Sequence, residues 1–147
     1  MTAPAYLPDT GDLIWTDFDP TKGREQAGRR PALVVSPAAL TENTGLAIVC
    51  PITSRVRLFP TSVVLPSSLP IAGEILTSHI RGIDIQARPI RYAGVAVSDE
   101  IARLVRAKLN TLITFERGVF PARIPERKTR TSLRHSGRHA EPDPTGS

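Results

Sequence analysis

"GDLIWTDFDPTKGREQAGRRPALVVSP", Gly11 to Pro37, sets the frame for the rest of the chain. Its first part, residues 12–18, carries Leu13, Ile14, Trp15 and Phe18 and reads as a strand. Pro20 and Gly23 then break the run. Its last part, "ALVVS" over residues 32–36, is a short continuous apolar run, the pattern of a strand buried on both faces or set in a barrel wall. Between them stand Lys22, Arg24, Glu25, Arg29 and Arg30 in a loop bracketed by Pro20 and Pro31. Charge of that density has two readings: a solvated hairpin tip, or a loop that binds an anion.

Outward from this block, "LAIVCPI" (46–52), "TSVVL" (61–65), "EILTSHIRGI" (74–83) and "IRYAGVAV" (90–97) read as four more strands. "PAALTENTG" (37–45) turns the chain, with room for one helical turn. From Ser98 the period changes. Ile101, Leu104, Val105, Leu109, Leu112 and Ile113 fall at helical spacing as one apolar stripe, leaving Arg103, Arg106 and Lys108 to the outer face. Ser98 suits an N-cap, and Asp99 and Glu100 suit the positive end of the helix dipole. The expected fold is mainly β, a compact barrel of short strands closed by a C-terminal amphipathic helix, since turn signals this frequent favour a barrel over an open sheet.

With 40% hydrophobic residues the chain has enough apolar content for a core, and with 5% aromatics that core must be aliphatic. The net charge of +5 favours anionic partners, nucleic acid first. Residues 115–147 hold seven Lys/Arg against four Asp/Glu, which is +3 of that +5, so residues 1–114 are nearly balanced. The two parts are expected to be a folded domain over 1–114 and a basic, disordered tail over 115–147, rich in Pro, Arg, Ser and Thr. The lone Cys50 excludes an internal disulfide, and its apolar setting reads as a buried small hydrophobe. No apolar run reaches the roughly 18 residues a membrane span needs, and the N-terminus lacks the basic-then-apolar pattern of a signal peptide. A cytoplasmic location is expected.

The Gly11–Pro37 block resembles the MazF/PemK family of toxin endoribonucleases, whose opening strand is followed by D-P-x-x-G-x-E-Q-x-G-x-R-P and a V-V-[SL]-P strand. The likeness continues through "VCPITS" (49–54), "ILTSHIRGID" (75–84) and "RAKLNTLI" (106–113), so it spans roughly residues 9–114. It implies a homodimeric SH3-like barrel of the MazF/CcdB toxin type that cuts single-stranded RNA without metal or cofactor and is neutralised by a cognate antitoxin.

Metal-free RNA cleavage proceeds by attack of the ribose 2′-hydroxyl on phosphorus. It needs a base, an acid for the leaving oxygen, and positive charge on the phosphorane. Arg30 stands at the family's catalytic arginine, and a guanidinium suits the charge-neutralising role. A surface arginine paired with a carboxylate is the plain alternative. Thr53 matches the residue implied to hold the scissile phosphate; a strand-end threonine is its plain reading. Glu25 is placed to act as base, to orient Arg30, or to make an ordinary loop ion pair. Arg24, Gln26, Gly28 and Arg29 are implied RNA contacts or loop-shaping residues. Arg24 stands where one relative type carries a histidine; an arginine there can bind phosphate but is a poor base, because a guanidinium keeps its proton.

Ser78 stands where several family members carry an acid, and the neighbouring His79 offers an imidazole, or simply a half-exposed strand histidine. Arg55 and Arg57 extend a phosphate track or keep a loop soluble. Arg81 and Asp84 look like fold or dimer residues first, with Arg81 an RNA contact second. A non-catalytic toxin, or an RNA- or protein-binding module on the same barrel, is the competing reading that Ser78 keeps open.

Overall fold

The computed structural model describes residues 5–18 and 29–114. In chain order these form β1 (Asp12–Asp17), β2 (Arg29–Val34), α1 (Ala38–Thr44), β3 (Leu46–Thr53), β4 (Ser62–Val64), β5 (Glu74–Leu76), a 3-10 turn (Thr77–His79), β6 (Arg81–Asp84), β7 (Ile90–Ala96) and α2 (Asp99–Leu112). The strands make one antiparallel, barrel-like sheet in the order β4-β5-β3-β2-β1-β7, and β6 pairs with β3. The compact unit they build ends at Ile113.

The continuous apolar runs of β2 and β3 arise because this sheet is buried on both faces. Leu13, Leu33, Cys50, Ile52 and Ile75 point to one side, where Ile101 and Val105 of α2 cover them. Ile14, Ala32, Val34, Ala47, Val49 and Ile83 point to the other side, with Tyr6, Phe18, Ile85 and Ile90 packed against them. Each such Leu or Ile removed from water contributes about 1.5–3 kcal/mol, so aliphatic side chains carry the core. Cys50 is one of them: it is fully buried, and loss of hydration pushes its thiol up to about 12.

Three expectations need correcting. First, β2 begins at Arg29 rather than Ala32, and Pro31 pairs with Trp15. A strand proline is tolerated there because the β2–β3 ladder starts only at Ala32. Second, residues 74–83 are not one strand. Between Ile52↔Ile75 and Val49↔Arg81, β3 advances three residues while its neighbour advances six. The surplus coils into the 3-10 turn, where buried Thr77 donates its hydroxyl to the Thr61 carbonyl. His79 therefore sits in a turn, exposed, and not in a strand. Third, the buried stripe of α2 is narrower than its sequence suggests. Leu104 and Ile113 are exposed, whereas Lys108 is half-buried and donates to the Pro60 carbonyl. The short helix α1 also runs to seven residues before Gly45, at φ +79, ends it.

Ser98 caps α2 as expected, its hydroxyl accepting the Ile101 amide at 3.3 Å. Ser98→Ala is expected to cost about 1 kcal/mol, read as a fall of several degrees in the thermal midpoint.

Candidate active site

Strand alternation and register assemble a polar row on the face opposite α2. Thr16 of β1 pairs with Arg30 of β2. Extending the β2–β3 register two residues past Ala32↔Pro51 sets Arg30 opposite Thr53, and Thr53 pairs with Glu74 of β5. Adjacent strands lie about 4.8 Å apart, so the row crosses roughly 14 Å of sheet. Arg30 is exposed and Thr53 half-buried, while Thr16 and Glu74 are fully buried. Arg30, Thr53 and Glu74 line a groove of about 440 Å³ together with Ser54, Arg55, Arg57, Phe59, Leu76 and His79. A smaller cavity of about 110 Å³, under α2 against Leu33, Val105 and Leu109, belongs to the helix–sheet contact.

Hydrogen bonds fix several groups in and around the site. The Thr53 hydroxyl accepts the Arg55 amide at 3.2 Å, which leaves its own proton available for a ligand oxygen. Glu74 accepts the Arg57 amide at 2.9 Å and the Phe59 amide at 3.3 Å, one on each carboxylate oxygen. Arg88 donates to the Asp17 carbonyl at 2.9 Å and so anchors the end of β1. Three guanidinium groups, from Arg30, Arg55 and Arg57, and the exposed His79 thus share the groove with the hydroxyls of Thr53 and Ser54. Such an arrangement is chemically suited to an oxyanion such as a phosphodiester.

The expected residues do not all converge. Arg30, Thr53, Arg55, Arg57 and His79 share the groove. Arg29, one residue from Arg30, projects from the opposite face of β2. Arg81 sits over the Phe18 ring at 5.1 Å, and Asp84 accepts the Gln86 and Ala87 amides, so the two serve different partners. Arg24, Glu25, Gln26 and Gly28 lie outside the described residues, as does 115–147. Glu74 was missed. As the first residue of an apolar run it gave no local signal, because its partners are 17 and 15 residues away. Thr16 was missed as well; only its place in a buried strand face, opposite the motif arginine, marks it.

Thr16 Oγ1 has no hydrogen-bond partner among the described residues. A buried orphan hydroxyl costs about 1–3 kcal/mol. Thr16→Val, similar in shape, is therefore expected to hold or raise the thermal midpoint. A fall of several degrees would mean that the hydroxyl contributes to folding.

A barrel-like antiparallel sheet whose open groove gathers arginines and a threonine hydroxyl defines a small basic protein with a groove suited to an anion. The comparisons with known proteins agree with that class. The chain belongs to the PemK-like, MazF-like toxin family of type II toxin–antitoxin systems, whose profile matches residues 9–113. It is 44% identical over 108 residues to the endoribonuclease toxin MazF of Escherichia coli, covering 74% of this chain and 96% of that protein. The MazF crystal structure from Deinococcus radiodurans superposes with a TM-score of 0.66 at 42% identity, covering 74% of this chain and 97% of the other. A MazE–MazF crystal structure from the same organism gives 0.66 at 38% identity, covering 76% and 100%.

Proposed function

We propose that this protein is the toxin of a type II toxin–antitoxin pair and a sequence-selective, metal-independent endoribonuclease acting on single-stranded RNA, messenger RNA included. The observation that carries the reading is the row Arg30–Thr53–Glu74 opening into a groove with Arg55 and Arg57. In the proposed step the 2′-oxygen attacks phosphorus, the bond from phosphorus to the 5′-oxygen breaks, and a 2′,3′-cyclic phosphate and a 5′-hydroxyl result. The Arg30 guanidinium neutralises the charge that builds on the phosphorane oxygens, and the Thr53 hydroxyl donates to one of them. Arg55 and Arg57 bind flanking phosphates. Glu25 takes the 2′-proton, or orients Arg30 while His79 at the groove takes it, and a proton passes to the leaving 5′-oxygen.

The partners follow from the same reading. The MazE–MazF crystal structures support a cognate antitoxin. The resemblance of the chain supports a two-fold homodimer. Among the described residues no helix is long and apolar enough to cross a membrane, and we place the toxin in the cytoplasm beside its substrate. Residues 1–114 are assigned the activity. The basic 115–147 segment adds sequence-independent RNA affinity.

The test is cleavage of a mixed-sequence single-stranded RNA by purified protein in excess EDTA, with the product ends mapped. Discrete cuts leaving 5′-hydroxyl ends support the proposal. Binding without cuts, in protein free of antitoxin, would replace it with the binding-module reading.

A further inference from the structure

Residues 54–60 follow Thr53 and carry much of the groove wall, yet they contain neither helix nor strand. What holds them is a carboxylate. Glu74 is completely buried, and its two oxygens accept the amides of Arg57 and Phe59, the residues on either side of Leu58. Leu58 itself has φ +55, in the left-handed region that a residue with a side chain occupies only when its surroundings hold it there. Its side chain is 72% exposed, so burial of that side chain is not what keeps it in place. The far end of the segment is tied down separately: Lys108 of α2 donates to the Pro60 carbonyl and Thr77 to the Thr61 carbonyl.

The consequence is a fixed presentation of Arg57 and Phe59 in the groove that Arg30 and Thr53 also line. An aromatic ring beside basic side chains is the pattern that stacks a base of single-stranded RNA while the cations hold its phosphate. We propose that Glu74 is a positioning residue, which by bracketing Leu58 sets Phe59 and Arg57 as a subsite for one nucleotide next to the scissile phosphate. This rests on the nuclease reading above and deepens it. With both oxygens engaged by backbone amides and no exposed surface, Glu74 is placed to hold the loop and not to reach a 2′-hydroxyl.

The test uses the full chain and the variants Glu74→Gln, Phe59→Leu and the double variant. Four quantities are read: amide hydrogen exchange, steady-state cleavage of a mixed-sequence RNA pool, nucleotide preference around the cut, and binding to a 2′-O-methyl pool that cannot be cut. Glutamine keeps the shape but offers one acceptor oxygen in place of two, so faster exchange at Arg57 or Phe59 is expected. KM should rise roughly tenfold, with kcat within about threefold and the preference flattened at one position. Phe59→Leu should reproduce the KM and preference changes with the Arg57 and Phe59 amides still protected, and the double variant should add little to either single one.

The proposal is overturned if Glu74→Gln loosens those amides without changing KM or preference, or if the amides stay protected. It is also overturned if the two substitutions act additively. Should Glu74→Gln fail to fold, an unchanged KM and preference in Phe59→Leu overturns it. If the wild type binds RNA but does not cut, only the nuclease reading falls. Binding to the 2′-O-methyl pool then decides, with roughly tenfold weakening in both variants expected and no weakening overturning the subsite.

Discussion

Replacing Arg30 with alanine is expected to slow single-turnover RNA cleavage by a factor of about 10²–10³ while leaving folding intact. The side chain is exposed, so among the described residues its removal opens no cavity and strands no buried partner. Substitutions of that kind stay within about 0.5 kcal/mol in stability. Its backbone, by contrast, is held on β2, across from Thr16 on one side and from Thr53 by register on the other. A guanidinium launched from a paired strand needs little reorganisation when charge builds on the phosphorane, and this is why its loss is expected to fall on the chemical step. Arg30→Lys should recover only part of the rate, since a point charge lacks the planar fork. Single-turnover rates and thermal melts of the two variants check this. A rate within about threefold of wild type for Arg30→Ala would remove Arg30 from the chemistry.

Gly73→Ala is expected to be among the most damaging single substitutions in the sheet. Gly73 has φ +134, and a Cβ there would lie 2.2 Å from the Thr53 carbonyl oxygen and 3.0 Å from its carbon. The neighbour is backbone and cannot rotate away. Nor is Gly73 free to retreat, because its carbonyl accepts the Leu65 amide at 2.9 Å. Strain of about 1–3 kcal/mol adds to an overpacking cost of about 1–3 kcal/mol, so a loss of about 3 kcal/mol or more is expected. What folds should also cleave more slowly, because the displaced residue is Thr53. Gly82→Ala is the control: among the described residues nothing beyond its chain neighbours lies within 4 Å of its Cβ position, and it should be near neutral. Denaturant melts of the two variants measure the difference, and equal midpoints would contradict the geometry.

The three arginines of the groove came to light by different routes. Arg30 and Thr53 stand in local motifs, "RRP" and "PITS", so the resemblance was enough to mark both as candidates. Arg55 and Arg57 showed only as charge after Thr53, with a solubility role equally open. Lining of the groove separates them from Arg29 and Arg81, which carry the same charge but face elsewhere. His79 was expected on a strand and lies in a turn because β3 offers its neighbour too few pairing positions for the residues between Ile75 and Arg81.

Local pattern was enough where neighbours in sequence decide the outcome. Alternating and continuous apolar runs gave β1, β3 and β7, the 3.6-residue period with Ser98 as cap gave α2, and the Gly11–Pro37 block gave the family. Tertiary structure alone decided whatever depends on pairing between distant segments. The Thr16–Arg30–Thr53–Glu74 row exists only once four strands are in register, and Glu74 and Lys108 find the 57–60 segment across 15 to 48 residues. The physical reason is one of range. Periodicity and caps act within a few residues, whereas the partner of a buried carboxylate is settled by which backbone amides the folded sheet brings to it.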